Sequence, residues 1–169
     1  MAVVINGSGT VTGLAVGGLP DGIVDSGTLA VNSRGTVLQV VSATYSTVLS
    51  LTTTTYTDTG LTATITPKFA TSKILITGYL PLLKTSGGNT VVIPKLLRGS
   101  TTILEFGRIL YDNTTGDLAQ SASFNYLDSP ATASAVTYKT QISNASASGS
   151  VLSCWDNRAS TITLMEIAG

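Results

Sequence analysis

The sequence contains no histidine. That absence excludes the Ser-His-Asp and Cys-His nucleophile arrangements, imidazole metal sites and the usual general base near neutral pH. Most enzyme classes fall away with it, and no catalytic residue, cofactor or metal ligand is expected. Cysteine occurs once, at Cys154, which forbids an intrachain disulfide. Its neighbours in Leu152-Ser153-Cys154-Trp155 read as a buried strand in which the thiol serves as a small hydrophobe. Arg158 is the nearest cation in sequence, and nothing marks the thiol as reactive.

Charge is scarce as well. Charged residues make up 11% of the chain, against roughly 25% in ordinary domains. Nine Lys plus Arg balance nine Asp plus Glu, and the basic residues are scattered, so there is no electrostatic footprint for nucleic acid. Met1 to Asn6 carry neither a basic n-region nor a long apolar stretch, so no secretory signal is expected. No apolar run approaches the roughly 18 residues of a membrane span. These features describe a soluble chain made in a cytoplasm.

Hydroxyls replace the missing charge. The chain has 28 threonines and 19 serines among its 169 residues. Threonine is β-branched and suits a pleated, half-exposed surface, so the excess argues for strands over helices.

The first 35 residues differ from the rest. Glycine at positions 7, 9, 13, 17, 18, 22, 27 and 35 is interleaved with Val11, Leu14, Val16, Leu19, Ile23, Val24, Leu29 and Val31. Such a segment is too glycine-rich for a helix interior and too apolar for a solvated linker. It must find a partner surface, either the main domain or copies of itself. Pro20-Asp21-Gly22 punctuates it as a turn.

From residue 36 onward the pattern is a succession of strands, predicted at 37–44, 47–57, 61–66, 73–83, 89–98, 101–106, 119–127, 135–143, 149–155 and 160–168. Leu61, Ala63 and Ile65 alternate with Thr62, Thr64 and Thr66, and Val136, Tyr138, Thr140 and Ile142 alternate with Thr137, Lys139 and Gln141. Asp58-Thr59-Gly60 reads as a hairpin turn, and Pro67 as the end of the strand that follows it. Pro81 and Pro94 fall inside apolar runs, which predicts edge positions or bulges there. No helical periodicity is sustained anywhere. The expected fold is all-β: an antiparallel, jelly-roll-like β-sandwich over 36–169 with an extended segment at 1–35.

Candidate sites are weak. Asp112-Asn113-Thr114-Thr115-Gly116-Asp117 carries oxygen ligands but lacks the spacing and glutamate of an EF-hand loop, and reads as a polar turn. Asp21 and Asp25 read as turn caps. Tyr111, Tyr126 and Trp155 have polar neighbours suited to sugar contact, although aromatics in alternating strands usually fill a core. Glycan recognition is expected in the loops at 84–90, 111–117 and 144–150, because loops on a rigid scaffold usually carry binding. No pair of carboxylates is marked by spacing for glycoside cleavage.

Several stretches taken in order resemble tail fibre and related virion appendage proteins of tailed bacteriophages. They are Gly9-Thr10-Val11-Thr12-Gly13-Leu14 through Asp21-Gly22-Ile23-Val24-Asp25-Ser26-Gly27-Thr28-Leu29-Ala30, then Tyr56-Thr57-Asp58-Thr59-Gly60-Leu61-Thr62-Ala63-Thr64-Ile65-Thr66-Pro67, Ser72-Lys73-Ile74-Leu75-Ile76, Leu96-Leu97-Arg98-Gly99-Ser100-Thr101 and Ser160-Thr161-Ile162-Thr163-Leu164-Met165-Glu166-Ile167. The resemblance implies a homotrimeric virion protein whose N-terminal segment docks on the tail or baseplate and whose jelly-roll head contacts the host. On that reading Val11, Leu14, Val16, Leu19, Pro20, Ile23 and Val24 serve attachment and trimerisation, and Tyr111, Asp112, Asn113 and Asp117 form a receptor-contact loop. The expected partners are further copies of the chain, other phage tail, baseplate or capsid proteins, and a host-surface glycan or protein. Two other readings fit the same residues: a capsid decoration protein that cements the phage head, and a lectin-like or TNF-like binding module.

Overall fold

The computed structural model describes residues 4–5, 11–12, 35–85, 89–112 and 115–169. The chain divides into two units, Met1–Ser33 and Arg34–Gly169. In the first, β1 (Val4–Ile5) and β2 (Val11–Thr12) pair antiparallel, Val4 opposite Thr12 and Ile5 opposite Val11. Of the expected attachment residues, Val11 lies in β2. Leu14, Val16, Leu19, Pro20, Ile23 and Val24 lie outside the described residues, as do Asp21 and Asp25.

The second unit is built from β3 (Val37–Tyr45), β4 (Leu49–Leu51), β5 (Thr57–Ile65), β6 (Lys73–Lys84), β7 (Thr90–Arg98), β8 (Thr101–Glu105), β9 (Leu110–Asp112), β10 (Leu118–Asp128), β11 (Val136–Asn144), β12 (Val151–Ser153) and β13 (Ser160–Ile167). Three pairs of these are single rows broken in the middle. Both β12 and β13 run along β6, Ser153 opposite Leu82 and Thr161 opposite Tyr79. β3 and β4 continue each other along that row, and β8 and β9 share one edge of β7. Counted as rows, the unit has two four-row antiparallel sheets, ordered β3/β4, β12/β13, β6, β10 and β5, β11, β7, β8/β9.

Within these sheets the first row pairs with the last, the second with the seventh, the third with the sixth and the fourth with the fifth. Every connection except the tight β7–β8 turn therefore crosses to the opposite sheet. That is an eight-row jelly roll, in which one long folded ribbon wraps around a core.

The alternation read from the sequence places that core. Leu61, Ala63 and Ile65 of β5, Val136, Tyr138 and Ile142 of β11, and Val92 and Leu96 of β7 face Ile74, Ile76, Leu80 and Leu82 of β6, Ala122 and Phe124 of β10, and Ile162 and Leu164 of β13. Thr62 and Thr64 face solvent on the other side of β5. Each fully buried aliphatic side chain contributes roughly 1.5–3 kcal/mol, so the body holds itself together with few ion pairs.

Four expectations need correction. Asp58-Thr59-Gly60 is not a hairpin turn, because β5 runs straight through it. The three residues Thr59, Gly60 and Leu61 instead oppose the single Thr140 of β11 as a bulge, with Gly60 at φ 90°. Lys139 Nζ and Gln141 Nε2 each donate to the Asp58 carboxylate at 2.8 Å and pin the bulge from across the pair. The strand expected over 47–57 forms only at Leu49–Leu51, in the sheet opposite β5.

Pro81 and Pro94 stand in central strands, not at sheet edges. In each case the neighbouring row is interrupted there. The Pro81 carbonyl accepts from Cys154 N at 3.1 Å, and the Pro94 carbonyl accepts from Phe106 N at 3.2 Å. In an extended residue N and O point to the same side, so each missing N–H faces a break in its neighbour and costs no ladder hydrogen bond.

Cys154 is buried as expected but is not in a strand: it has φ 55° and opens the short 3-10 turn Trp155–Asn157. That turn is the only helical element among the described residues.

Candidate ligand-contacting surfaces

The strand ends that flank the loops at 84–90, 111–117 and 144–150 share one region of the sandwich. β6 ends, β7 begins, β9 ends, β10 begins and β11 ends there, at one pole, with Lys84 opposite Leu118, Thr90 opposite Asp112 and Asn144 opposite Val92. Buried Asn144 organises the last of these loops, donating from Nδ2 to Ser148 O at 3.2 Å and Gly149 O at 3.1 Å. Thr90 Oγ1 donates to Ser148 O at 2.6 Å, and Thr85 N donates to Ser150 O at 2.8 Å, which tie this loop to both ends of the β6–β7 connection.

Within that pole Tyr111 pairs with Val91 and is 61% exposed, so it fills no core. Asp112 pairs with Thr90, and Asp117 is exposed just before β10. Asn113 and the Asp112 side chain lie outside the described residues. Tyr126, by contrast, packs against the core.

The opposite pole holds a buried polar bridge between the sheets. Asp128 ends β10, while Arg98 ends β7 and faces Tyr138 of β11 in register. Arg98 Nη1 lies 3.0 Å from both Asp128 oxygens, and Tyr138 Oη donates to Asp128 Oδ2 at 2.6 Å. Burial raises the Tyr138 pKa above its ordinary value, and the adjacent Asp128 carboxylate raises it further. A phenol held neutral this way acts as a donor and not as a base.

A second buried carboxylate, Glu166 of β13, has no ion-pair partner among the described residues. Gln39 Nε2 donates to Oε2 at 2.5 Å and Lys68 N to Oε1 at 2.7 Å, which clamps the β5–β6 connection onto the sheet. Burial pushes its pKa up, but these donors and the backbone of Phe69 outweigh it and hold the group below its ordinary value. Both carboxylates are thus engaged in structure.

One concavity was not foreseen. The break between β12 and β13 throws Trp155 and Arg158 over the outer face of the sheet, where they rim a groove floored by Tyr79 and Pro81 and walled by Gln120 and Ser121. Arg158 stacks on the Trp155 ring, 4.1 Å from its centroid. Trp155 carried the only sequence signal for this groove. Tyr79 and Arg158 give none, because only the pairing of both β12 and β13 with β6 brings the turn between them over Tyr79.

The outer face of the same sheet also carries an apolar row. Val40, Met165, Leu75 and Leu127 stand side by side on β3, β13, β6 and β10 in direct register. Val40 is 56% and Leu127 50% exposed, and Val37 beside them is 50% exposed. The next two rows are polar: Ser42, Thr163, Thr77 and Asn125, then Thr44, Thr161, Tyr79 and Ser123.

No family model and no curated protein matches the sequence. Among solved structures, the chain is similar to the infectious bursal disease virus VP2 subviral particle, with 14% identity and a TM-score of 0.44 over 77% of this chain and 37% of that one. It therefore spans little more than a third of the VP2 chain. It is also similar to the subunit of Bacillus endospore appendages, described as disulfide-linked pili, with 17% identity and a TM-score of 0.31 over 79% of this chain and 92% of that one.

Proposed function

We propose that this chain is a non-enzymatic structural protein of a tailed-bacteriophage virion, a homotrimeric tail fibre that attaches to the tail or baseplate through residues 1–35 and meets the host surface with its jelly-roll body. The observation that carries the reading is the apolar row Val40–Met165–Leu75–Leu127 on an otherwise hydroxyl-faced sheet. Contiguous exposed apolar surface on a small soluble domain marks an association surface. Closed symmetric association of identical chains is the ordinary way to cover such a surface without forming open fibres. The resemblance of the segments, in their order, to tail fibre and appendage proteins supports the virion setting, and the strand ends gathered at one pole suit the display of host-contacting loops.

Host binding then works by avidity. Three weak sites per trimer, and several trimers per particle, give tight attachment without a tight single site. Labelling the protein in purified virions tests the assignment. Signal at the tail is the expected result; signal confined to the capsid surface contradicts the fibre reading and supports a decoration protein.

A further inference from the structure

We infer that the groove between Tyr79 and the Trp155–Arg158 stack is a binding site for a carboxylate-bearing pyranose, such as a uronic or sialic acid residue. The inference gives the host contact proposed above a chemical form, and rests on that reading for its biological meaning.

The groove is a built feature of the fold. Its floor is Tyr79 and Pro81 on β6, and one wall is the β10 segment with Gln120 and Ser121. The rim exists because the row opposite β6 leaves the sheet after Ser153 and rejoins it at Ser160. Cys154, Asp156 and Asn157 all take left-handed backbone angles, at φ 55–56°. That conformation is unfavourable for a side chain with a Cβ, and clusters of it mark sites whose surroundings hold them in place. Here the hold is Cys154: its N–H donates to Pro81 O at 3.1 Å, and its sulfur lies 3.3 Å from Tyr45 O and 3.1 Å from Ser160 Oγ. Arg158 N donates to Trp155 O at 3.2 Å and closes the turn. The rim is therefore set before any ligand arrives, which lowers the ordering cost of binding.

Its chemistry is specific. Pyranose rings present C–H faces to aromatic and apolar surface and hydroxyls to polar side chains, and this groove offers both. Ser121 Oγ donates to Tyr79 Oη at 3.0 Å, which fixes the phenol at the edge of the floor. Arg158 has no ion-pair partner among the described residues. Its guanidinium carbon lies over the indole, 4.1 Å from the ring centroid, and a guanidinium's forked N–H donors match a carboxylate. The cavity measures about 200 Å³, below the roughly 300–1,000 Å³ of sites that enclose a drug-sized ligand. That limits the occupant to a single ring lying in an open groove.

Trp155 is the sole tryptophan of the chain, so its fluorescence, excited at the red edge where the six tyrosines do not absorb, reports on this groove. The full-length protein is titrated with methyl glucuronide, with a methyl sialoside and with neutral methyl glucoside. The expected result is a saturable change with at least one acidic sugar, with a dissociation constant on the order of 1 mM, and at least tenfold weaker response to the neutral one. Arg158→Gln is expected to weaken the acidic sugar tenfold or more, with Arg158→Lys between the two. No saturable response to either acidic sugar, an equal response to the neutral sugar, or an unchanged Arg158→Gln would each overturn the assignment. The wild-type comparison of acidic with neutral sugar decides the question even where a variant does not fold. Because sugar binding and virion location are measured separately, failure of one leaves the other standing.

Discussion

Tyr138 and Asp128, from opposite sheets, meet through a 2.6 Å hydrogen bond at one pole of the sandwich, with Arg98 against the same carboxylate. Tyr138 is fully buried, and its hydroxyl is the only part that leaves the hydrocarbon core for a polar partner. Tyr138→Phe keeps the ring and removes the donor. The expected loss is about 1–3 kcal/mol, the cost of leaving a buried acceptor short of a partner, read as a lower urea midpoint with an unchanged slope.

The same pair predicts an alkaline limit. The folded pKa of Tyr138 is raised above the ordinary value near 10, so the stabilisation from its neutral form is complete below pH 10 and is lost as pH rises beyond it. Wild-type stability should fall above pH 10, and the fall should be shallower in Tyr138→Phe. Parallel denaturation curves between pH 8 and 11 check this.

Glu166 sets the acid limit. Its folded pKa is lowered from the ordinary 4.5, so its contribution is present above pH 4.5 and is lost as pH falls through the folded value. Glu166→Gln, which replaces one acceptor oxygen with a donor facing the existing donors, should cost about 1–3 kcal/mol at pH 7. It should also flatten the decline in stability below pH 4.5, measured by thermal unfolding across pH 3–7.

Gly60 and Gly78 are each covered by an aromatic ring, and the two positions separate two physical costs. A Cβ on Gly60 would lie 2.2 Å from the Tyr45 ring at a residue with φ 90°, whereas one on Gly78 would lie 2.2 Å from the Phe124 ring without a positive φ. Gly78→Ala should cost about 1–3 kcal/mol from overpacking. Gly60→Ala should cost that plus roughly 1–2 kcal/mol for the left-handed backbone. Adding Tyr45→Ala to Gly60→Ala should relieve the clash and leave the backbone cost, which a double-mutant cycle resolves.

The strands that bury one face were legible because period-2 alternation reports burial directly. β5, β11 and β13 show it most clearly, with Leu61-Thr62-Ala63-Thr64-Ile65 as the plainest run. What misled were residues whose local preference has two structural outlets. Asp-Thr-Gly favours a positive φ, which serves a hairpin turn or a bulge equally well, and only the pairing of β5 with β11 across Thr140 decides for the bulge. Pro81 and Pro94 signal a missing ladder bond, but nothing local says whether an edge or a broken neighbour accounts for it. The groove was hidden for the same reason: it depends on β12 and β13 being one row split by an excursion, a property of long-range register. Turn residues mark the loops at 84–90, 111–117 and 144–150 locally, whereas the meeting of their flanking strand ends at one pole follows only from the topology.

The proposed assembly is three copies of this chain. Light scattering coupled to gel filtration of the full chain tests it most directly. The expected result is one species at three times the 17.3 kDa of a single chain, shifted toward lower mass when Val40 and Leu127 are both replaced by serine. A monodisperse 17.3 kDa species at every concentration would contradict it.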